Sequence, residues 1–113
     1  MDMQELRNAA LEIYNELDRA GVRPLVSDQG VGLPHVMWLA VQIGKKIDDV
    51  DKANRYLGNI QASLIYLRFW THQHMMDRAF AWSRGEFKFV ARDPATVRVV
   101  RNPPPVDISG RNY

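Results

Sequence analysis

Apolar residues recur at helical spacing over residues 3–20, with Leu6, Ala10, Ile13, Tyr14 and Leu17 on one stripe and Glu5, Glu12, Glu16 and Arg19 off it. That spacing predicts an amphipathic helix. Gly21 stands where a left-handed C-terminal cap belongs, and Pro24 blocks simple continuation. A second stripe, Val36, Leu39, Ala40, Ile43 and Ile47, predicts a helix over 34–47. It opens on Pro34, whose missing N–H does no harm in a first turn. Residues 22–34 read as a connector, with Gly30 and Gly32 flanking Val31 and suited to positive backbone dihedrals. Gly44 inside the second helix implies a packing reason, since glycine disfavours helix interiors.

Asp48, Asp49 and Asp51 precede the third periodic run. Acidic residues there suit a helix N-terminus, where Asp accepts from free N–H groups and the dipole favours negative charge. Val50, Ala53, Leu57, Ile60, Leu64 and Leu67 then alternate in steps of three and four, a heptad-like seam. The seam fits antiparallel packing within the chain and a homodimer equally well. The phase carries on through His72 and Met76 and predicts one long helix over 49–82. After Gly85 the period changes to two: Phe87 and Phe89 alternate with charged residues, as do Val97 and Val99. With Arg92-Asp93-Pro94-Ala95 as turn chemistry, this predicts a β-hairpin over 86–101. Three prolines, 103–105, lead into a tail ending at residue 113 that carries no apolar periodicity. The expected fold is α+β: a three-helix bundle with a C-terminal β-hairpin in a single domain, 1–102, followed by an extended proline-rich tail, 103–113.

Composition narrows the chemistry. With no cysteine among 113 residues, disulfides, thiolate metal sites and cysteine nucleophiles are excluded. No apolar run approaches the roughly 20 residues that span a bilayer. The first residues lack the basic-then-apolar order of a secretory signal, so the expected setting is reducing and cytoplasmic, away from membranes. The net charge of +2 hides a gradient: residues 1–35 carry six acids against Arg7, Arg19 and Arg23, whereas residues 84–113 carry six cations against Glu86, Asp93 and Asp107. Such a gradient could orient the molecule on a charged partner, or be no more than a solvated surface.

No catalytic or cofactor constellation stands out. His72 and His74 are two residues apart and point about 200° apart on a helix, so they cannot grip one ion. The three aspartates lack the glycine and terminal glutamate of a calcium loop. Gly30-Val31-Gly32 has no following Lys-Ser/Thr and no preceding strand, so it is not a phosphate loop. The serines have no nucleophile-elbow context. The chain therefore reads as non-enzymatic, with no cofactor and no metal.

Aromatic and basic residues interleave at Arg55-Tyr56, Tyr66, Arg68-Phe69-Trp70, Arg78-Phe80 and Trp82-Arg84. Such an arc reads either as core or as a partner surface, because Trp, Tyr and Arg concentrate in interface hot spots. Arg55, Tyr66, Arg68, Phe69 and Trp70, with Arg92, Arg98 and Arg101 from the hairpin, form the candidate partner-binding set. Gly58 and Ala62, four apart on one helix side, would let another backbone approach, within the fold or between chains.

Lys52-Ala53-Asn54-Arg55-Tyr56-Leu57-Gly58-Asn59-Ile60-Gln61 resembles a helix motif of small phage and prophage accessory proteins, roughly Lys-x-Asn-Arg-Trp/Tyr-Leu-Gly-x-Ile/Val-Gln. Ala62 departs from the glycine that often follows. The resemblance covers about ten residues and implies a phage-encoded accessory protein with no defined reaction. The leading expectation is an inhibitor that binds a host protein or defence complex in the host cytoplasm, such as CRISPR–Cas. Two alternatives stay open: a nucleic-acid-binding regulator using the basic hairpin, and a virion or assembly component in which a homodimer would matter.

Overall fold

The computed structural model describes residues 1–25, 32–90 and 97–101, with side chains over 1–25 and 32–88. Along the chain it runs α1 (Met3–Arg19), α2 (Leu33–Lys45), α3 (Val50–Tyr66), α4 (His72–Ser83), β1 (Glu86–Val90) and β2 (Val97–Arg101). The four helices form a bundle in which α1 packs on α2 and α3, α2 packs on α3, and β1 lies against α1 and α4.

Local chemistry explains most boundaries. Asp2 and Glu5 form a reciprocal capping box at the start of α1: the Asp2 carboxylate accepts from Glu5 N–H at 2.8 Å, and Glu5 accepts from Asp2 N–H at 3.0 Å. The helix ends at Gly21, at φ +89°, with Gly21 N–H donating to the Asp18 carbonyl and Val22 N–H to the Leu17 carbonyl. These two bonds are the left-handed termination expected of glycine there. Pro34 sits in the first turn of α2, as its chemistry requires. Asp49 caps α3 by accepting from Asp51 and Lys52 N–H groups, so capping is the role of the aspartate cluster at that point. Its neighbour Asp48 reaches Arg7 of α1 at 3.4 Å.

The expected long helix over 49–82 is two helices. α3 stops at Tyr66, and Arg68 takes a left-handed conformation at φ +60°. Arg68 N–H donates to the Ile65 carbonyl and Phe69 N–H to the Leu64 carbonyl, the same pair of bonds that glycine supports at the end of α1. Thr71 then caps α4, its hydroxyl accepting from His74 N–H at 3.0 Å. The apolar phase runs through this break unmarked, because a non-glycine residue occupies the left-handed position. That conformation costs an L-residue roughly 1–2 kcal/mol, so Arg68→Gly is expected to raise stability by about 1 kcal/mol in urea melts. A loss would contradict this termination.

The core draws on every helix. Leu6, Ala10, Ile13, Tyr14 and Leu17 of α1 are buried, as are Val36, Leu39, Ala40, Ile43 and Ile47 at α2 and just beyond it. In the α3 seam Ala53, Leu57, Ile60 and Leu64 are buried, Leu67 is half-buried past the helix end, and Val50 is exposed. Phe87 of β1 is fully buried, which puts one face of that strand into the bundle. The β1 and β2 backbones pair antiparallel, Glu86 opposite Arg101 and Val90 opposite Val97. The turn at 92–95 and the tail 103–113 lie outside the described residues.

Two glutamates of α1 depart from the sequence pattern. Glu12 and Glu16 fall off the apolar stripe, yet Glu12 is 3% exposed. Its carboxylate accepts from Arg78 Nε at 2.9 Å, from Arg78 Nη2 at 2.7 Å and from the Lys88 backbone N–H at 2.7 Å. One buried carboxylate thus ties α1 to α4 and to β1. Arg78 is itself buried, which removes it from the surface aromatic–basic series. The pairing is bidentate and charge-assisted, the strong class of such contacts.

Candidate partner-binding face

The residues expected to meet a partner separate by helix phase. Trp70 is 4% exposed, and its indole N–H donates to Glu16 Oε1 at 2.8 Å. His74 meets its ring edge-on at 4.7 Å, and Trp82 lies tilted against it at 6.3 Å. Trp70 is thus a core residue held between α1 and α4, not an interface residue. Phe69 is half-buried against the same core. Both follow the left-handed turn at Arg68, which directs the chain back over the bundle. Neither is available as an exposed anchor.

Tyr66 faces the other way. It is the last residue of α3 and is 85% exposed. Arg55 and Arg68 are exposed as well. At 100° per residue, Arg55, Asn59, Ala62 and Tyr66 fall within an arc of about 60°, and all four are exposed. Ala53, Leu57, Ile60 and Leu64 occupy the opposite side and fill the core. The stripe runs along about 16 Å of helix from Arg55 to Tyr66. It stands on a rigid element whose other face is fixed in the bundle.

Charge on this face is predominantly basic, with exposed Asp51 one turn before Arg55. From Lys52 to Met76 the chain contains no Asp or Glu, while Lys52, Arg55 and Arg68 are all exposed. None of the three enters an ion pair among the described residues. Lys52 lies 5.8 Å above the Tyr56 ring, and Asn54 donates to the Val50 carbonyl of its own helix.

Gly58 borders the stripe. It lies mid-helix and exposed, and a Cβ built there meets nothing within 4 Å. Neither backbone geometry nor packing within the described chain calls for glycine at that place. Gly58→Ala is therefore expected to stabilise the fold by about 0.5–1 kcal/mol, from helix propensity alone. Thermal or urea melts check this, and destabilisation would reveal a contact the free chain does not show.

The remaining candidates carry less geometry. Arg98 and Arg101 lie on β2, paired by backbone opposite Phe89 and Glu86, with their side chains outside the described residues. Arg92 lies outside them altogether. Phe80 of α4 is a second large exposed ring, 57% exposed; the sequence pattern placed it beside Arg78 without separating the buried residue from the exposed one. Among the described residues no three His, Asp or Glu side chains are placed to hold a metal ion, and no helix is long and apolar enough to cross a membrane. Compared with family models, with curated proteins and with solved structures, the chain returns no match.

Proposed function

We propose that this chain is a small non-enzymatic binding protein, of the kind phages encode, that docks on a host protein complex and blocks it. The observation that carries the reading is Tyr66: a large aromatic side chain left 85% exposed at the end of a well-anchored helix. Exposed aromatic and arginine side chains on rigid elements are the residues that supply most binding energy in protein interfaces. Arg68 lies two residues on, past Leu67, and Arg55 shares its face, which completes a short anchor set. The likeness of residues 52–61 to a phage accessory-protein motif supports the phage origin, and antiviral defence machinery such as CRISPR–Cas is the class of target it favours.

The C-terminal strands belong to the same proposal. A hairpin joined through residues 91–96 and seated by Phe87 would offer a strand edge to a partner and carry Arg92, Arg98 and Arg101 alongside it. The reaction needed is occlusion alone.

Affinity capture from a bacterial lysate, treated with nuclease, tests the reading. Wild-type protein should retain a defined set of host proteins that Tyr66→Ala loses. Retention that disappears on nuclease treatment, with phosphate-driven steep salt dependence, would favour a nucleic-acid-binding regulator instead.

A further inference from the structure

Three groups from beyond α3 converge on two carboxylates of α1. Glu16 accepts from the Trp70 indole N–H, and Glu12 accepts from Arg78 and from the Lys88 backbone N–H. The two glutamates lie four residues apart, one turn along the same helix face. The α4 backbone packs on β1 and α3, and α4 reaches α1 through the Arg78 side chain. We propose that α4 and β1 form a flap, hinged at Arg68 and latched by Glu12 and Glu16. The flap swings off α1 as one unit while α1, α2 and α3 stay folded.

Apolar burial is divided unevenly across that seam. Of 22 buried apolar side chains among the described residues, 18 lie between Leu6 and Leu64; Trp70, Ala81, Trp82 and Phe87 make up the rest. Segments with few buried apolar side chains open first, below the free energy of global unfolding. The seam itself is polar. Attraction within the Glu12–Arg78 pair is offset by the cost of keeping two charges from water, a cost that opening removes. The Trp82 indole N–H is buried with no hydrogen-bond partner among the described residues, and opening lets water satisfy it. Arg68 supplies the pivot. It is a non-glycine residue at φ +60°, between the last turn of α3 and the cap of α4, and hinges are commonly such element-terminal positions. Opening bares Trp70, Trp82 and Phe87, aromatic side chains that the docked form keeps buried and whose type anchors interfaces.

Native-state hydrogen exchange on the full-length chain tests the flap. The slowest backbone amides of α4 and β1 should exchange at least about tenfold faster than the slowest amides of α1, α2 and α3. Ile43→Val separates local from global opening. Ile43 is fully buried in α2, so trimming it should speed the slowest amides of α1, α2 and α3 about fivefold. The amides of α4 and β1 should keep their rates, because the packing of Ile43 is the same in the docked and open forms. Glu12→Gln, which keeps the shape and removes the charge, should speed α4 and β1 at least about tenfold. One common level of protection across the four helices, or equal acceleration of all of them by Ile43→Val, would overturn the proposal. So would α4 and β1 rates that Glu12→Gln leaves within about twofold of wild type. If Glu12→Gln fails to fold, the wild-type and Ile43→Val profiles decide the matter alone.

Discussion

Replacing Glu12 by Leu is expected to destabilise the protein by about 3–5 kcal/mol, the cost of breaking a buried ion pair from one side. The loss has two parts. The Arg78 guanidinium, with its side chain 9% exposed, would keep its charge in a place where water cannot solvate it. The Lys88 N–H, which donates to Glu12 at 2.7 Å, would lose its acceptor at the point where β1 meets α1, adding an unsatisfied backbone donor. Arg78→Met should act in the same direction, because Glu12 would then hold a buried charge on a single backbone donor. The double variant Glu12→Leu/Arg78→Met should recover a large part of the loss, since removing both charges removes the desolvation problem. Urea melts of the four proteins form a cycle whose coupling separates the pair from ordinary packing. A single substitution costing under about 1 kcal/mol would mean the pair is open to water.

Leu64→Ala is the second large effect, at about 2–5 kcal/mol from lost transfer energy and the cavity left behind. Leu64 is fully buried. Its carbonyl also accepts from both Phe69 and Trp70 N–H groups, at 3.0 and 3.1 Å. The side chain therefore supports the core at the place where α3 turns into α4. The expected loss lies in the upper half of that range, because relaxation into the cavity would drag the turn that places Trp70 against Glu16. A loss below about half a kilocalorie would remove Leu64 from the core.

Where sequence and structure agree, a residue's chemistry permits one local arrangement. Gly21 can hold the left-handed cap, Asp49 can accept from free N–H groups, and Pro34 fits a first helical turn; each was legible for that reason. The division of the long helix was not, because Arg68 holds a left-handed position with no glycine to mark it and the apolar phase continues on both sides. Glu12 falls with the polar positions in the sequence pattern because its hydrogen-bond partners, Arg78 and Lys88, are 66 and 76 residues away. Periodicity cannot register a charge satisfied at that separation. The aromatic arc divided for the same reason: Tyr66 ends α3 facing solvent, whereas Trp70 follows the reversal and finds Glu16, 54 residues back. Gly58 and Ala62 read as allowing a close backbone approach, within the fold or between chains, and both are exposed on α3.

The most direct measurement is an equilibrium titration of a captured host protein against the wild-type chain and Tyr66→Ala. Both should share one melting temperature, because an 85% exposed side chain contributes little to the fold. The account predicts that Tyr66→Ala weakens binding by about 2 kcal/mol or more, roughly 30-fold. Affinities within about twofold of each other would contradict it and move the contact surface away from α3.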